Sequence, residues 1–189
     1  MIAAIIAATS FSPAQAAPNY VFPIVGCDYT YAKAHHDYPA TDILAKAGCK
    51  YVAVTSGVID EVNRVDSWSG KTNLGVDRGG LYVSFIGDDG VRYYASHLRT
   101  IPQSIQPGVV VKAGRLLGSV GATGSARGTK PHIHFGLSWS TPPQTWWVRR
   151  GMVWPWKYLD AWKAGKDLSP AKEVDAKRLK VGDLPPEPK

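Results

Sequence analysis

The chain reads HIHFGL over residues 132–137, a pattern typical of a β-strand whose two faces differ in chemistry. Alternate side chains of a strand point to opposite faces of the sheet. Ile133, Phe135 and the leucine that ends the stretch therefore share an apolar face that belongs to a core. His132 and His134 share the other face, where a rigid strand holds their imidazoles side by side. Such a pair suits a zinc site, although two histidines on an exposed surface would give the same pattern.

Short apolar runs with period-two alternation occupy residues 51–137, and clusters of Gly, Ser, Asp and Asn separate them at intervals of about ten residues. Two of these runs, 81–86 and 91–94, are joined through Asp89 and Gly90, and Asp-Gly between alternating runs predicts a hairpin. No part of this region keeps a helical period long enough for a helix. We therefore predict a mainly β protein with antiparallel sheets.

The composition limits the class of protein. The chain has 189 residues, of which 44% are apolar and 20% charged, with a formal net charge of +7. This length fits one compact domain, and no apolar run reaches the roughly 18 residues that a membrane span requires. A basic chain suits an anionic partner such as a cell-wall polymer, lipid head groups or nucleic acid. The charges are scattered, however, and those of residues 166–180 are of mixed sign, which favours a solvated surface.

The first residues differ from the rest. An uncharged apolar stretch is followed by Ala14-Gln15-Ala16, which is typical of a signal-peptide cleavage site. No basic residue precedes the stretch, which leaves open a signal peptide that is truncated at its N-terminus; a merely apolar segment is the alternative. We predict a signal peptide over 1–16 and an exported chain that begins near Ala17.

Export bears on Cys27 and Cys49, the only two cysteines. Outside the cytosol a pair of thiols is expected to oxidise, and a bridge between these two would close a loop of about 23 residues. Two free buried thiols or two metal ligands are the alternatives, although the Cys-x-x-Cys spacing of zinc sites is absent. We predict a disulfide.

The composition changes after Trp139 to a stretch rich in tryptophan that ends near Trp162. We predict that this stretch packs as a C-terminal cover on the sheets, and stacking on sugars is the alternative. Leu159, Trp162 and Lys163 fit one short helix. Residues 166–189 are charged and end in a proline-rich run, which predicts a flexible tail.

A second group with metal-binding chemistry contains His36 and Asp42, where a loop with Pro39 leads into an apolar run that looks like a strand. Together with His134, these residues would supply two nitrogens and one oxygen and leave the fourth tetrahedral position of a zinc ion open. An open position is typical of a catalytic zinc site, because a structural site fills all four.

Residues 114–135, GRLLGSVGATGSARGTKPHIHF, resemble the signature of the M23 zinc metallopeptidases, the LytM and lysostaphin-type peptidoglycan endopeptidases. Residues 94–98, YASHL, resemble that family's Tyr-x-His-Leu segment with one extra residue before the histidine, and 36–42 resembles its first zinc motif. The likeness covers roughly 22–137. It implies a LytM-like antiparallel two-sheet sandwich of the barrel-sandwich type, with a short C-terminal aromatic and helical extension. The implied peptidase domain spans 17–165.

The resemblance also implies roles for individual residues. Carried over one by one, His36, Asp42 and His134 bind zinc. His97 and His132 are then the two catalytic histidines that do not bind the metal.

Two departures from the family pattern bear on this assignment. The family usually places its first histidine four residues before the aspartate, with a glycine between, whereas the interval from His36 to Asp42 is six. His35 is therefore a competing ligand. The glutamate often found after the His-x-His-Phe is replaced by Gly136, and we do not expect this change to abolish the chemistry.

The expected mechanism follows from such a site. Zinc held by two imidazoles and a carboxylate lowers the pKa of its bound water to about 7 and polarises the scissile carbonyl. The glutamate of a His-Glu-x-x-His metalloprotease is absent, so His132 is the predicted general base, which later protonates the leaving amine. His97 is expected to orient the water or to stabilise the oxyanion.

The sequence therefore predicts a zinc-dependent endopeptidase that hydrolyses peptide bonds of peptidoglycan stem peptides or cross-bridges. We expect a secreted monomer, periplasmic or associated with the cell wall, with no nucleic-acid partner and no transmembrane segment. A non-catalytic module of the same fold that binds cell wall or regulates another hydrolase is the alternative. The sequence does not say which bond is cleaved.

Overall fold

Antiparallel strands form the framework of the molecule. The computed structural model describes residues 19–35 and 37–188, so the predicted signal peptide over 1–16 and the predicted ligand His36 lie outside the described residues. The strands found within the described part of the chain are β1 (Ile24–Val25), β2 (Tyr29–Tyr31), β3 (Thr41–Ala45), β4 (Lys50–Val52), β5 (Gly57–Asn63), β6 (Tyr82–Gly87), β7 (Arg92–Ser96), β8 (Leu98–Thr100), β9 (Val110–Val111), β10 (Leu116–Val120) and β11 (His132–Ser138).

These strands build two sheets. The smaller has the order β1-β4-β10-β8, and the larger has the order β2-β3-β11-β7-β6-β5-β9. The neighbouring strands pair antiparallel, as in the β11 pairs with β3 and with β7. β6 and β7 form the predicted hairpin, and its turn contains Gly90 at φ 79°. The structure confirms the predicted mainly β fold with two antiparallel sheets.

One cluster of buried apolar side chains joins the two sheets. Tyr51 and Leu117 contribute from the smaller sheet, and Phe85, Ile133 and Phe135 contribute from the larger, all with 0% exposure. Burial of apolar area is the main favourable contribution to folding. The apolar face of β11 therefore packs into the core as its alternation predicts.

The histidine-bearing face of β11 is covered as well. His134 is only 4% exposed and Ser138 is fully buried. β3 pairs with β11 only as far as Phe135, and beyond that point the C-terminal segment takes its place. The Met152 N–H donates to the Leu137 carbonyl at 2.8 Å. His134 therefore does not lie on an exposed surface, which was the alternative that the sequence left open.

The segment that covers this face, called the covering segment below, includes Arg150 and Met152 and belongs to a helical extension. Its helices are α1 (Trp146–Arg149), α2 (Trp156–Lys163) and α3 (Ala171–Val181). α2 is the short helix predicted from Leu159, Trp162 and Lys163. The Trp162 ring packs against Phe135 of the core with their centroids 6.3 Å apart, so this tryptophan is part of a cover on the sheet. None of the described helices is long and apolar enough to cross a membrane.

Residues 166–189, which the sequence predicts to be a flexible tail, contain the helix α3. α3 buries Val174 to 1% exposure, and Glu173 accepts a hydrogen bond from the Tyr158 hydroxyl at 2.7 Å. The indole N–H of Trp139 donates to the Asp183 carbonyl at 2.8 Å. One buried valine and a few hydrogen bonds thus hold a segment whose charged, proline-rich composition predicts a tail, because composition does not record single contacts of this kind. The boundary at residue 165 stays a prediction.

The two cysteines form the predicted disulfide. Cys27 and Cys49 are bonded, with their Cα atoms 5.9 Å apart. Cys27 lies between β1 and β2, and Cys49 immediately precedes β4, so the bridge ties the N-terminal strands of both sheets together.

We expect that replacing both cysteines by alanine lowers the free energy of unfolding by roughly 3 kcal/mol, because the open chain gains entropy in the unfolded state. Urea denaturation of the variant and of the oxidised parent measures the difference. Equal midpoints and slopes for the two proteins would show that the bridge contributes nothing to stability.

Candidate metal centre

The register of three strands brings the first two metal-binding side chains together. His134 on β11 lies directly opposite Asp42 on β3 and Ser96 on β7. Opposed residues of an antiparallel pair have their Cβ atoms about 5 Å apart on the same face of the sheet. The Nδ1 atom of His134 accordingly lies 3.1 Å from Oδ1 of Asp42.

A third side chain comes from the loop between β2 and β3. Nε2 of His35 lies 3.9 Å from Oδ1 of Asp42, and the ring centroids of His35 and His134 are 4.9 Å apart. One ligand atom from each of His35, Asp42 and His134 lies within 4.8 Å of the others. Two ligands that are each about 2.1 Å from a tetrahedral zinc ion lie roughly 3.4 Å apart. The distances of 3.1 and 3.9 Å lie on either side of this value, so Asp42 has the spacing of a zinc ligand relative to both His134 and His35.

The sequence left a choice between His35 and His36 for the loop ligand. The described cluster contains His35, whose side chain is 4% exposed. His36 lies outside the described residues, so its assignment as a ligand stays a prediction. Asp42 and His134 belong to the cluster with either histidine.

The hydrogen bonds of His134 show why a cation suits this place. Its Nε2 lies 2.7 Å from the Arg150 carbonyl, which can only accept, so Nε2 carries the hydrogen. A neutral imidazole has one N–H, and its Nδ1 lone pair then faces the Asp42 carboxylate oxygen. A second proton on the ring, or a cation held between Nδ1 and Oδ1, removes this repulsion. A metal-binding histidine usually donates its other N–H to a carbonyl or carboxylate in this way.

The carboxylate of Asp42 is kept ionised. Burial by itself raises the pKa of an aspartate, but the hydrogen bond that His134 donates when its ring carries a second proton, together with the charge of the surrounding imidazoles, outweighs burial and lowers the pKa of Asp42 to about 2. An anionic oxygen is the form that binds a divalent ion.

His97 and His132 lie beside the cluster, and backbone carbonyls set their tautomers too. Nδ1 of His97 lies 2.8 Å from the Thr123 carbonyl, and Nδ1 of His132 lies 2.7 Å from the Lys130 carbonyl. In both rings Nδ1 therefore carries the hydrogen, and Nε2 presents a lone pair. The two ring centroids are 4.9 Å apart. Each of these histidines can accept a proton at Nε2.

The backbone and surroundings of His97 are unusual. It lies at the corner between β7 and β8 with φ 63°, a conformation that L residues other than glycine rarely adopt. Burial and the neighbouring imidazoles of His134 and His132 lower the pKa of His97 to about 3. The ring is therefore neutral at neutral pH, which agrees with a lone pair on Nε2.

Two glycines let the covering segment approach β11. A Cβ atom on Gly136 would lie 2.3 Å from the Arg150 carbonyl oxygen, so only glycine leaves room for the oxygen that orients His134. Gly151 has φ 141°, and a Cβ atom there would lie 2.3 Å from the Pro39 carbonyl oxygen. The glycine that replaces the family's frequent glutamate thus has a structural reason.

A cavity of about 400 Å³ opens above the cluster, and all four described histidines line it. Its lining includes Gly75 and Gly79 from the loop before β6, and Trp146, Arg149 and Arg150 from the covering segment. Sequence reasoning did not assign these wall residues to the site. The run of two tryptophans, a valine and two arginines before Gly151 was the available signal, and nothing in its spacing specified the cavity.

Buried ion pairs hold the covering segment in place. Arg149 pairs with Glu61 of β5, and its guanidinium lies 4.4 Å from the ring centroid of Tyr82. Arg92 of β7 donates to the Thr141 carbonyl at 2.9 Å. These contacts attach both ends of the wall to the larger sheet.

A comparison with known protein families shows which family the chain belongs to. The profile of peptidase family M23 matches residues 36–145, which is more than half of the chain. The chain belongs to peptidase family M23. This identification confirms the resemblance that the sequence motifs carry.

Individual M23 proteins resemble this chain to different extents. The L-Ala–D-Glu endopeptidase of Bacillus subtilis (strain 168) is 24% identical over 160 residues, which cover 77% of this chain and 44% of that protein. The M23 chain thus spans less than half the length of this curated relative. The catalytic domain of lysostaphin from Staphylococcus simulans is 26% identical, with a TM-score of 0.52 over 70% of this chain and 92% of that domain. A candidate glycyl-glycine endopeptidase LytM from Ruminococcus gnavus is 21% identical, with a TM-score of 0.61 over 79% of this chain and 62% of that one.

We expect Gly136→Ala to push the Arg150 carbonyl away from the Nε2 atom of His134. The added methyl group should lower the free energy of unfolding by roughly 1–3 kcal/mol, as overpacking does. Loss of the orienting hydrogen bond should weaken zinc binding by roughly 10- to 100-fold. Chemical denaturation and zinc titration of the M23 chain measure the two effects. Gly70→Ala is a suitable control, because a Cβ atom there would approach Trp68 no closer than 3.6 Å and neither glycine has a positive φ; unchanged zinc affinity in Gly136→Ala would contradict the orienting role.

Proposed function

We propose that this M23 chain is a zinc-dependent endopeptidase that hydrolyses peptide bonds of peptidoglycan. The observation that carries the proposal is the cluster of His35, Asp42 and His134 at the cavity wall, beside two histidines with a free lone pair on Nε2. Two imidazoles and one carboxylate are a donor set that zinc accepts, and three protein ligands are typical of a catalytic zinc site.

Asp42 and His134 are the proposed ligands from the sheet. The loop supplies the third, and the position of the His35 side chain in the cluster supports His35 as that ligand. His36, which the family motif favours, is the alternative. Zinc bound in this cluster would supply an activated water and would polarise the scissile carbonyl.

His132 is the proposed general base. Its Nδ1–H is held by the Lys130 carbonyl, so the lone pair on Nε2 is available to take a proton from water and to return it to the leaving amine. His97 has the same tautomer and is buried, and its Nε2 can accept but not donate a hydrogen bond while the ring is neutral. This favours orientation of the water over stabilisation of the oxyanion as the role of His97.

The substrate is proposed from the family and its relatives. The Bacillus protein is named for the L-Ala–D-Glu bond, and the Ruminococcus protein is a candidate for glycyl-glycine bonds. We infer that this chain acts on peptidoglycan peptides, in stem peptides or in cross-bridges. Such a substrate requires export, in agreement with the predicted signal peptide over 1–16 and with the disulfide between Cys27 and Cys49.

Digestion of purified peptidoglycan tests the proposal. We expect the protein to bind zinc and to release new amine termini, which mass spectrometry of the muropeptides identifies. A chelator should stop the release, and added zinc should restore it. A protein that binds no zinc and releases no new termini would instead support the non-catalytic cell-wall-binding module.

Substitution of the proposed base separates proton transfer from metal binding. We expect His132→Ala to lower kcat by roughly 10²- to 10⁴-fold, which is the usual contribution of a general base. Its zinc content should equal that of the parent, whereas Asp42→Ala should lose both zinc and activity. Release of the same termini at the parental rate by His132→Ala would show that the base is wrongly assigned.

A further inference from the structure

The side chain of Arg150 has no role in the chemistry described above, yet it lines the same cavity as the metal cluster. Its guanidinium carbon lies 4.0 Å from the ring centroid of Tyr38 and 4.9 Å from that of Trp146. Two aromatic rings therefore hold the planar group on the cavity wall. Stacking of this kind limits the freedom of the long side chain before any ligand arrives.

Within the described part of the chain, Arg150 has no anionic partner, in contrast to three other arginines. Arg149 pairs with Glu61, Arg92 with Asp60, and Arg127 with Asp66. Over residues 19–35 and 37–188, Arg150 forms no ion pair, and its buried Nε atom bonds no acceptor. A guanidinium has five N–H donors in a fixed fork that matches the two oxygens of a carboxylate. Among the described residues, no carboxylate pairs with the guanidinium of Arg150.

The guanidinium of Arg150 lies near the candidate metal cluster. The backbone carbonyl of the same residue accepts the hydrogen bond from Nε2 of His134. The Tyr38 ring that stacks on the guanidinium has its centroid 5.6 Å from that of His134. A group bound by Arg150 would therefore belong to a residue next to the scissile bond.

We propose that Arg150 binds a carboxylate on the substrate residue beside the scissile bond, so that the enzyme prefers acidic stem peptides to uncharged cross-bridges. This inference rests on the proposed endopeptidase function and names its substrate class. A planar carboxylate offers one charged oxygen to each of two parallel N–H groups of the guanidinium, a geometry that the single neutral oxygen of a backbone carbonyl or a hydroxyl does not provide. A carboxamide in the same place offers one weaker acceptor and presents an N–H₂ group to a cation.

Other charges in the cavity define the control. Arg78 and the exposed Lys130 also line it, together with the acidic Asp37 and Asp42. Nε of Arg78 already donates to the Asn73 side chain at 3.1 Å. Lys130 is a compact point charge without an aromatic stack, so its loss changes the charge of the cavity as much as the loss of Arg150 does. Lys130→Met therefore tests whether the total positive charge alone explains a preference for acidic substrates.

The experiment uses two synthetic stem peptides that differ only in the residue beside the scissile bond. That residue is a glutamyl unit with a free carboxylate in one peptide and with a carboxamide in the other. The full zinc-loaded chain is assayed with both peptides, and kcat/KM is compared. We expect the parent to prefer the free acid by roughly ten- to a hundredfold, as hydrogen bonds to charged groups predict.

The variants identify the source of the preference. Arg150→Met should reduce the ratio of the two kcat/KM values to near one, Arg150→Lys should give an intermediate ratio, and Lys130→Met should keep the parental ratio. A parent that hydrolyses both peptides equally, or an Arg150→Met variant that keeps the parental ratio, would overturn the inference while leaving the endopeptidase function intact. Hydrolysis of neither peptide, nor of a triglycine cross-bridge peptide, would instead count against both the inference and the proposed function. Because the parent's own ratio is measured first, the test does not depend on the folding of any variant.

Discussion

The register of β11 between β3 and β7 is the constraint on which the site depends. It places His134 opposite Asp42 on one side and Ser96 on the other. Because side chains alternate with a period of two, a shift by one residue would turn Ile133 and Phe135 to the cavity and His134 to the core. The burial of those apolar residues selects the register, and the same selection brings the proposed metal ligands together. Folding energy and site geometry are thus determined by one set of strand pairs.

The covering segment turns this sheet surface into an enclosed site. Without it, the face that carries His134 would be exposed to water, and electrostatic interactions among its polar groups would be weakened. Gly136 gives the Arg150 backbone room to reach the imidazole, and Gly151 gives it room beside Pro39. Because residue 136 has no side chain, the Arg150 carbonyl can reach the imidazole of His134 and orient it.

Much of the framework could be predicted from the sequence because it depends on local patterns. The alternation in β11 and the Asp-Gly hairpin are short-range signals, and the disulfide follows from two cysteines in a chain that is expected to be exported; the structure confirms all three. The walls of the cavity could not be predicted in this way. Arg149 and Arg150 reach the site only because the chain after Leu137 folds back along β11, and no periodicity records that return. The packed helix α3 was missed for a similar reason, since Val174 is its one fully buried residue.

The histidines of the site show how one residue type can serve different functions. A backbone carbonyl fixes the hydrogen on Nε2 of His134, which leaves Nδ1 to face Asp42. Carbonyls fix the hydrogen on Nδ1 of His97 and His132, which leaves Nε2 directed away from the backbone for proton transfer. The acceptor for His132 is the nearby Lys130 carbonyl, whereas the acceptors for His97 and His134 lie 26 and 16 residues away along the chain, so the His-x-His motif alone does not encode the distinction. The proposed division between metal binding and proton transfer therefore rests on the fold, which decides the free nitrogen of each ring.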